Sequence, residues 1–276
     1  MRESDGMVEV GSRFDLRTGQ APDAPETEGF EGAEETCGWV HSYETGSTVD
    51  GPGVRLMLFM SGCFLRCQYC HNPDTWKLKD GTRIELPHAI RRLGEFAPAL
   101  RAMGGGLTIS GGEPLVQVAF TRALFAAAKR MGLHTALDTS GFLGHRADDE
   151  YLKNVVLVLL DIKSGDPDTY RRVTGVELRP TLRFAERLAA MGKPVWVRFV
   201  LVPGLTDAPE NIAKVARFVA PMRNVEWVEI LPFHKMGEFK WTSLGLDYPL
   251  AETPPPTEAQ VAAALGIFRD AGCRAR

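Results

Sequence analysis

The chain has 276 residues and a formal net charge of −3, with 44% hydrophobic and 24% charged residues. This composition is typical of a soluble globular protein, and the charge balance excludes an overall attraction to nucleic acid. No apolar run is long enough to span a bilayer and no apolar leader opens the chain. We therefore expect a cytoplasmic protein without a nucleic-acid or membrane partner.

The first 36 residues differ in composition from the rest of the chain. They hold ten acidic and three basic residues, a net charge of −7, whereas the remaining residues carry a net charge of +4. A segment so rich in Gly, Glu, Asp, Pro and Thr has too few apolar groups to offset the entropy cost of ordering it. We predict a disordered acidic extension over residues 1–36 and one folded domain over residues 37–276.

From about residue 38, short apolar runs alternate with amphipathic stretches. The runs predict six strands, over residues 54–60, 106–110, 134–139, 155–163, 195–202 and 225–233. The stretches predict helices over residues 86–103, 115–131, 146–152, 181–191, 208–220 and 257–271. Six strand–helix units in sequence favour parallel strands, in a partial barrel or in an open, doubly wound sheet.

Each predicted strand ends in a polar or glycine-rich motif. A cysteine cluster follows the first strand, SGGEP the second and DTSG the third; DIK closes the fourth, VPG follows the fifth and LPFH ends the sixth. In parallel α/β folds the carboxyl ends of the strands meet at one edge, and the active site lies there. The motifs therefore predict a single functional site at this edge.

Three of the five cysteines, Cys63, Cys67 and Cys70, have the spacing C-x3-C-x2-C. Thiolates bind iron–sulfur clusters, zinc and copper(I). A structural zinc site needs four protein ligands, whereas three ligands leave a metal position open, as in catalytic sites. His71 could supply a fourth ligand, so a zinc site stays an alternative.

The same spacing, with Tyr69 directly before the last cysteine, resembles the signature of the radical S-adenosylmethionine (SAM) superfamily. In that superfamily three cysteines hold a [4Fe-4S] cluster, and the amino and carboxylate groups of SAM bind the fourth iron. Reductive cleavage of SAM gives a 5′-deoxyadenosyl radical, which abstracts hydrogen. The resemblance implies that Cys63, Cys67 and Cys70 hold such a cluster in this chain.

Seven further motifs are similar to those of the pyruvate formate-lyase activating enzyme family. They are TVDGPGVR (48–55), CHNPDTW (70–76), SGGEPL (110–115), DTSG (138–141), LLDIK (159–163), VPG (202–204) and LPFHKMG (231–237). Related activases often carry a cysteine-rich insert, but this chain has no cysteine between Cys70 and Cys273. The resemblance implies a partial (β/α)6 TIM-like barrel that installs a glycyl radical on pyruvate formate-lyase. It also implies a flavodoxin or a ferredoxin as electron donor, and a monomer.

The resemblance also implies roles for individual residues. The SAM site would comprise Tyr69, Cys70, His71, Gly112, Glu113, Asp161, Ile162, Lys163, Arg198 and His234. Within it, Glu113 offers a carboxylate to an ammonium, and Lys163 suits the SAM carboxylate. A monovalent cation near SAM would be bound by Asp138 and Thr139. The alternative for Asp161 and Lys163 is a structural ion pair. The alternative for the DTSG motif is an Asx-type turn.

Two other functions remain open at this point. One is the activation of a different glycyl radical enzyme. The other is a non-catalytic iron–sulfur or zinc-binding protein, which predicts a fourth cysteine ligand and gives no reason for the GGE, DIK and PFH motifs to meet at one edge.

Overall fold

The computed structural model describes residues 37–276, so the acidic extension predicted for residues 1–36 lies outside the described residues. Eight strands form one sheet in the described part: β1 (Cys37–Ser47), β2 (Arg55–Met60), β3 (Thr82–Glu85), β4 (Gly106–Gly111), β5 (His134–Thr139), β6 (Leu157–Asp161), β7 (Val195–Leu201) and β8 (Val225–Pro232). Their order across the sheet is β3-β1-β2-β4-β5-β6-β7-β8.

Across the part of the sheet that runs β2-β4-β5-β6-β7-β8, every pair of neighbouring strands is parallel. The sheet is open, and this arrangement confirms the predicted α/β partial barrel, with each of the six predicted strands found to within two residues at either end. The prediction of six parallel strands did not include β1 and β3. Strand β1 pairs antiparallel with both β2 and β3 and extends the sheet beyond the six repeated units.

Eight α-helices lie within residues 37–276: α1 (Leu86–Ala102), α2 (Val118–Arg130), α3 (Asp149–Lys153), α4 (Pro167–Thr174), α5 (Arg179–Ala190), α6 (Pro209–Val219), α7 (Glu238–Ser243) and α8 (Glu258–Asp270). Helices α4 and α7 were not predicted. Helix α4 starts at the cap Asp166, whose side chain accepts from the Thr169 amide, and it ends at Gly175 with φ 78°.

The two sides of the sheet have different surroundings because side chains alternate along each strand. On the outer side, buried residues such as Leu137, Val158 and Val197 join the large core formed with the helices. On the inner side, Ala136, Leu157 and Leu159 form a small separate apolar cluster. Polar residues follow this inner cluster towards the carboxyl ends of the strands, and they line the cavity described below.

Residues 274–276 cover the free edge of β8. The Val228 amide donates to the Arg274 carbonyl at 2.8 Å, and the Arg276 amide donates to the Val228 carbonyl at 3.0 Å. This short parallel pairing satisfies backbone groups that an edge strand would otherwise expose. No helix among residues 37–276 is both long enough and apolar enough to cross a membrane.

Candidate functional site

A cavity of about 530 Å³ opens at the carboxyl ends of the parallel strands. This is the edge at which the sequence motifs were predicted to meet. Twelve of the fourteen predicted site residues line it: Cys63, Cys67, Tyr69, Cys70, His71, Gly112, Asp138, Thr139, Asp161, Lys163, Arg198 and His234. Glu113 and Ile162 are not among the lining residues, and both are discussed below.

The loop that carries the three cysteines is held by a hydrogen bond on each side, one from a backbone amide and one from a side chain. The Arg66 amide donates to the Thr174 carbonyl at 2.7 Å, which fixes the loop against α4. On the other side, Trp241 Nε1 in α7 donates to the Cys70 carbonyl at 2.8 Å. Because two unpredicted helices hold this loop, its conformation depends on parts of the chain distant in sequence.

The three thiols lie in a low-dielectric environment that makes them poor free thiolates. Burial raises the pKa of all three, that of Cys67 to about 12. Metal binding has to displace the thiol protons. The metal then supplies a positive charge that stabilises the buried thiolates. The environment therefore suits thiolates that are bound to a metal centre rather than free.

The cysteines do not belong to a preformed site for a single metal ion within residues 37–276. No three His, Cys, Asp or Glu side chains among residues 37–276 converge closely enough to hold one metal ion. This arrangement counts against the zinc alternative with His71, which needs four ligands around one centre. A cubane cluster presents a separate iron to each thiolate, so its ligands surround a volume instead of meeting at a point.

Glu113 is engaged by other groups of the chain, and its role as a partner for an ammonium group stays a prediction. Its side chain is only 1% exposed, and its carboxylate accepts hydrogen bonds from Thr139 Oγ1 at 2.7 Å and from Ser140 Oγ at 2.6 Å. The Ser140 and Leu115 amides also donate to it. The carboxylate thus joins the loop after β4 to the loop after β5, and it does not face the cavity. The Thr139 hydroxyl is engaged in this contact, which leaves Asp138 as the better placed side chain for a cation.

The DIK motif divides between the cavity and the core. Lys163 Nζ donates to Asp161 Oδ2 at 2.7 Å, and both side chains line the cavity. Burial alone would lower the pKa of Lys163, but the neighbouring Asp161 carboxylate raises it well above its usual value. Ile162 is fully buried in the large core, and its amide donates to the Arg198 carbonyl, so its place in the SAM site stays a prediction.

Arg198 lies at the centre of a network of carboxylates. Its guanidinium donates to Asp50 Oδ1 at 2.9 Å, to Asp138 Oδ2 at 3.3 Å and to Glu229 Oε2 at 3.4 Å. Burial would lower its pKa, yet the carboxylates of Asp138, Asp50 and Asp161 raise it above the usual arginine value. Arg198 is therefore charged at any working pH.

Asp138 has one free oxygen within this network. Its Oδ2 accepts from Ser110 Oγ at 2.6 Å, whereas its buried Oδ1 has no hydrogen-bond partner among the described residues. Burial raises the pKa of Asp138 to about 6. A buried, unsatisfied carboxylate oxygen beside a cavity marks a position where a bound cation or donor would be stabilised.

The charges that line the cavity favour a cationic ligand. Three carboxylates, Asp50, Asp138 and Asp161, face two fixed cations, Lys163 and Arg198, which leaves one negative charge in excess. SAM has a sulfonium, an ammonium and a carboxylate, so its net charge is complementary to this balance.

Several lining residues were not identified from the sequence. Ser110 and Asn72 lie within predicted motifs, but nothing in the motif pattern marked them as lining residues. Glu229, which contacts Arg198 but does not itself line the cavity, was also missed. It lies within an apolar strand pattern, VEWVEILP, whose register alone shows which residues face inward. The rings of His71 and His234 lie 4.3 Å apart at the opening, a contact between two loops that spacing could not reveal.

The fold and the site together define a class of enzyme. A three-cysteine loop follows the first parallel strand of an open α/β sheet, and the Radical SAM superfamily model matches residues 57–216. These are the fold and the site of a radical SAM protein.

Three relatives narrow this class. The pyruvate formate-lyase-activating enzyme of Staphylococcus epidermidis is 44% identical over 231 residues, which cover 81% of this chain and 92% of that protein. The enzyme of the same name from Streptococcus mutans is 46% identical over 83% of this chain and 89% of its own. A solved domain of pyruvate-formate lyase-activating enzyme from Bacteroides vulgatus has a TM-score of 0.53 and 27% identity, over 62% of this chain and 98% of that domain. The chain belongs to the pyruvate formate-lyase-activating enzyme family.

The protein uses a [4Fe-4S] cluster and SAM as its cofactors, as the superfamily does. The residues present fit both groups: three cysteine thiols line the cavity, together with Asp138 and Tyr69, whose Oδ1 and hydroxyl have no hydrogen-bond partner among the described residues. Gly112 is required for the packing of the loop beside these residues. A Cβ there would lie 2.5 Å from the Gly62 carbonyl oxygen, so only glycine lets this loop pack against the cysteine loop.

Proposed function

We propose that this protein activates pyruvate formate-lyase by installing a glycyl radical on it. It does so in the cytoplasm, as a monomer, with a flavodoxin or a ferredoxin as its electron donor. The observation that carries the proposal is that three cysteines line one cavity, in a chain 44% identical to a named activating enzyme. When bound, the cluster and SAM supply a 5′-deoxyadenosyl radical for hydrogen abstraction.

The chain's own residues divide the tasks of binding and orientation. Cys63, Cys67 and Cys70 hold the cluster. Lys163, which the neighbouring Asp161 carboxylate keeps charged in spite of burial, would bind the SAM carboxylate. Asp161 keeps a second carboxylate oxygen for a ribose hydroxyl or the ammonium group.

The remaining lining residues complete the SAM site and its surroundings. Tyr69, His71 and His234 close the cavity around SAM, and the Gly112 backbone approaches its methionyl end. Asp138, through its free Oδ1, would bind a monovalent cation beside SAM, with Thr139 contributing its backbone.

The substrate glycine has to reach the cavity from outside. Its Cα carries no side chain, so a loop of the partner can bring this carbon close to the reacting group without steric hindrance. Asp50 and Arg198 lie along the cavity wall and offer a carboxylate and a guanidinium to the backbone of such a loop. The chain thus positions the glycine and excludes water around it.

The test is an anaerobic reconstitution. The protein is loaded with iron and sulfide, reduced and mixed with SAM, with and without pyruvate formate-lyase. We expect 5′-deoxyadenosine in both cases and a glycyl radical EPR signal only with the lyase. Cys67→Ala should abolish both products, and Cys273→Ala should match the parent protein.

Each other outcome points to one alternative. Formation of 5′-deoxyadenosine without a radical on the lyase would retain the radical chemistry and contradict the partner, in favour of another glycyl radical enzyme. A bound cluster without any cleavage of SAM would indicate a non-catalytic iron–sulfur protein.

A further inference from the structure

Arg276, near the free edge of the sheet, holds a buried carboxylate. Its Nε and Nη2 donate to Glu229 Oε1 at 3.0 and 2.6 Å. The guanidinium also lies over the rings of Trp196 and Trp227, at 4.6 and 4.8 Å from their centroids. A planar cation that stacks on two aromatic rings and binds one carboxylate has a well-defined position.

Glu229 connects this cation to the cavity. It lies directly opposite Arg198 in the β7–β8 register, two positions after Trp227 on the same inner face. Its Oε1 accepts from Arg276, and its Oε2 accepts from Arg198 Nε at 3.4 Å. One carboxylate is therefore shared between the edge of the sheet and the wall of the cavity.

Arg198 in turn holds the turn before β2. Its Nη2 donates to the Val49 carbonyl and to Asp50 Oδ1, both at 2.9 Å. Val49 and Asp50 line the cavity, and Val49 is 72% exposed. A shift of Arg198 would thus move a surface that a partner protein meets.

We propose that Glu229 and Arg276 are positioning residues that set how Arg198 holds the turn at Val49 and Asp50, and thereby how tightly the cavity engages its protein substrate. The part of this proposal that concerns the substrate rests on the proposed function. Neither Glu229 nor Arg276 is among the residues that line the cavity, so each acts on it through Arg198.

The physical reason is that Glu229 and Asp50 compete for the guanidinium of Arg198. With Arg276 in place, Glu229 has a partner at each oxygen, and its contact with Arg198 stays long at 3.4 Å. Removal of Arg276 leaves Oε1 of this mostly buried carboxylate without a partner, which is costly. Glu229 then draws Arg198 towards itself and away from Asp50.

Arg274 provides a matched control. It lies in the same short edge segment and stacks over the same Trp227 ring at 4.2 Å, but within residues 37–276 no hydrogen bond or ion pair joins its side chain to Glu229. A purely structural contribution of the edge arginines would therefore affect Arg274→Gln and Arg276→Gln alike. A positioning role separates the two variants.

The first test needs neither cofactor nor lyase. Hydrogen–deuterium exchange of the cofactor-free protein should show faster exchange in the peptide over residues 47–55 for Arg276→Gln, and no change there for Arg274→Gln. Arg276→Lys, which keeps the charge but loses the planar fork, should give an intermediate rate. Equal exchange in both glutamine variants would overturn the proposal, whether or not the lyase is the substrate.

The second test uses the loaded enzyme and the lyase. For Arg276→Gln we expect the KM for the lyase to rise about threefold to fivefold, the scale of a partly exposed ion pair, with a smaller change in kcat. Adding Arg276→Gln to Glu229→Gln should cause no further rise, because the competing carboxylate is already gone. Additive effects of the two changes, or an equal rise for Arg274→Gln, would contradict the proposal.

Discussion

Glu113 and Ser140 join two loops of the site through two buried hydrogen bonds. Ser140 Oγ donates to Glu113 Oε2 at 2.6 Å, and the Ser140 amide donates to the same oxygen at 3.0 Å. Burial raises the pKa of Glu113, while these donors lower it. Glu113, which the SGGEP motif predicted as a partner for an ammonium group, thus links the loops after β4 and β5.

Glu113→Gln should therefore lower stability before it affects ligand binding. The amide group would place a donor against the Ser140 amide and hydroxyl, and we expect a loss of about 1–3 kcal/mol in the free energy of unfolding. Thermal unfolding measures this loss as a fall in Tm of about 2–4 °C per kcal/mol. Glu44→Gln, at an exposed position of β1, is the control. An unchanged Tm together with a loss of SAM binding would favour the ammonium role instead.

Gly112→Ala tests the close packing of two loops. The added Cβ would lie 2.5 Å from the Gly62 carbonyl oxygen and 3.1 Å from that of Thr75, so the cysteine loop has to shift. We expect a loss of about 1–3 kcal/mol and a lower iron content after reconstitution.

Gly266→Ala is the matched control for this change. Its Cβ would meet nothing within 4 Å in the interior of α8, and it should stabilise the protein by up to about 1 kcal/mol. If Gly112→Ala showed the same gain as Gly266→Ala, the close packing of the two loops would be refuted.

The cysteines themselves separate into two groups. Replacement of Cys63, Cys67 or Cys70 by alanine should remove the visible absorption of the cluster and reduce 5′-deoxyadenosine to background, if the proposed set of three thiolates is the full protein ligand set. Cys37→Ala and Cys273→Ala should retain the full iron content of the parent protein. Iron and sulfide analysis measures both groups, and a cluster that survived loss of Cys67 would exclude the assigned ligand set.

His134 predicts how stability depends on pH. Burial, together with the positive charge of Arg55, lowers the pKa of His134 from 6.5 to about 4. Between these values the unfolded chain binds more protons than the folded one, so the free energy of unfolding falls as the pH drops from about 6.5 towards 4.

His134→Gln should weaken this pH dependence, because the variant has no imidazole to protonate on unfolding. Urea unfolding of the cofactor-free protein at pH 7 and pH 5 measures the difference in free energy between these conditions. His145→Gln, at an exposed position, should retain the slope of the parent protein. Equal slopes for the parent protein and His134→Gln would show that the burial of His134 does not govern the effect.

The sequence was sufficient for the parallel strands because each is an apolar run followed by a polar motif. It was insufficient for β1, where polar residues interrupt the pattern, and for β3, which has only four residues. The sequence SGDP before α4 contains a typical helix cap and is sufficient to predict that helix. Helix α7 has six residues and no side-chain cap, so its sequence gives no such signal.

The site could be predicted as a set of residues but not as a set of contacts. The motifs placed twelve of the fourteen residues on one cavity, since strand ends converge in any parallel sheet. The directions of Glu113 and Ile162 depend on tertiary hydrogen bonds and on the turn of the backbone after a strand. The partners of Arg198 come from the loop before β2 and from β5 and β8, and no local pattern encodes such pairings.

The transfer of one hydrogen atom tests the central claim most directly. The lyase is prepared with glycine deuterated at Cα and incubated with the reduced, reconstituted protein and SAM under strictly anaerobic conditions. The 5′-deoxyadenosine is then analysed by mass spectrometry. We predict that one deuterium moves from the glycine Cα to the 5′ carbon, in step with a glycyl radical on the lyase. Only unlabelled 5′-deoxyadenosine, with the lyase present and SAM consumed, would contradict the proposed activity.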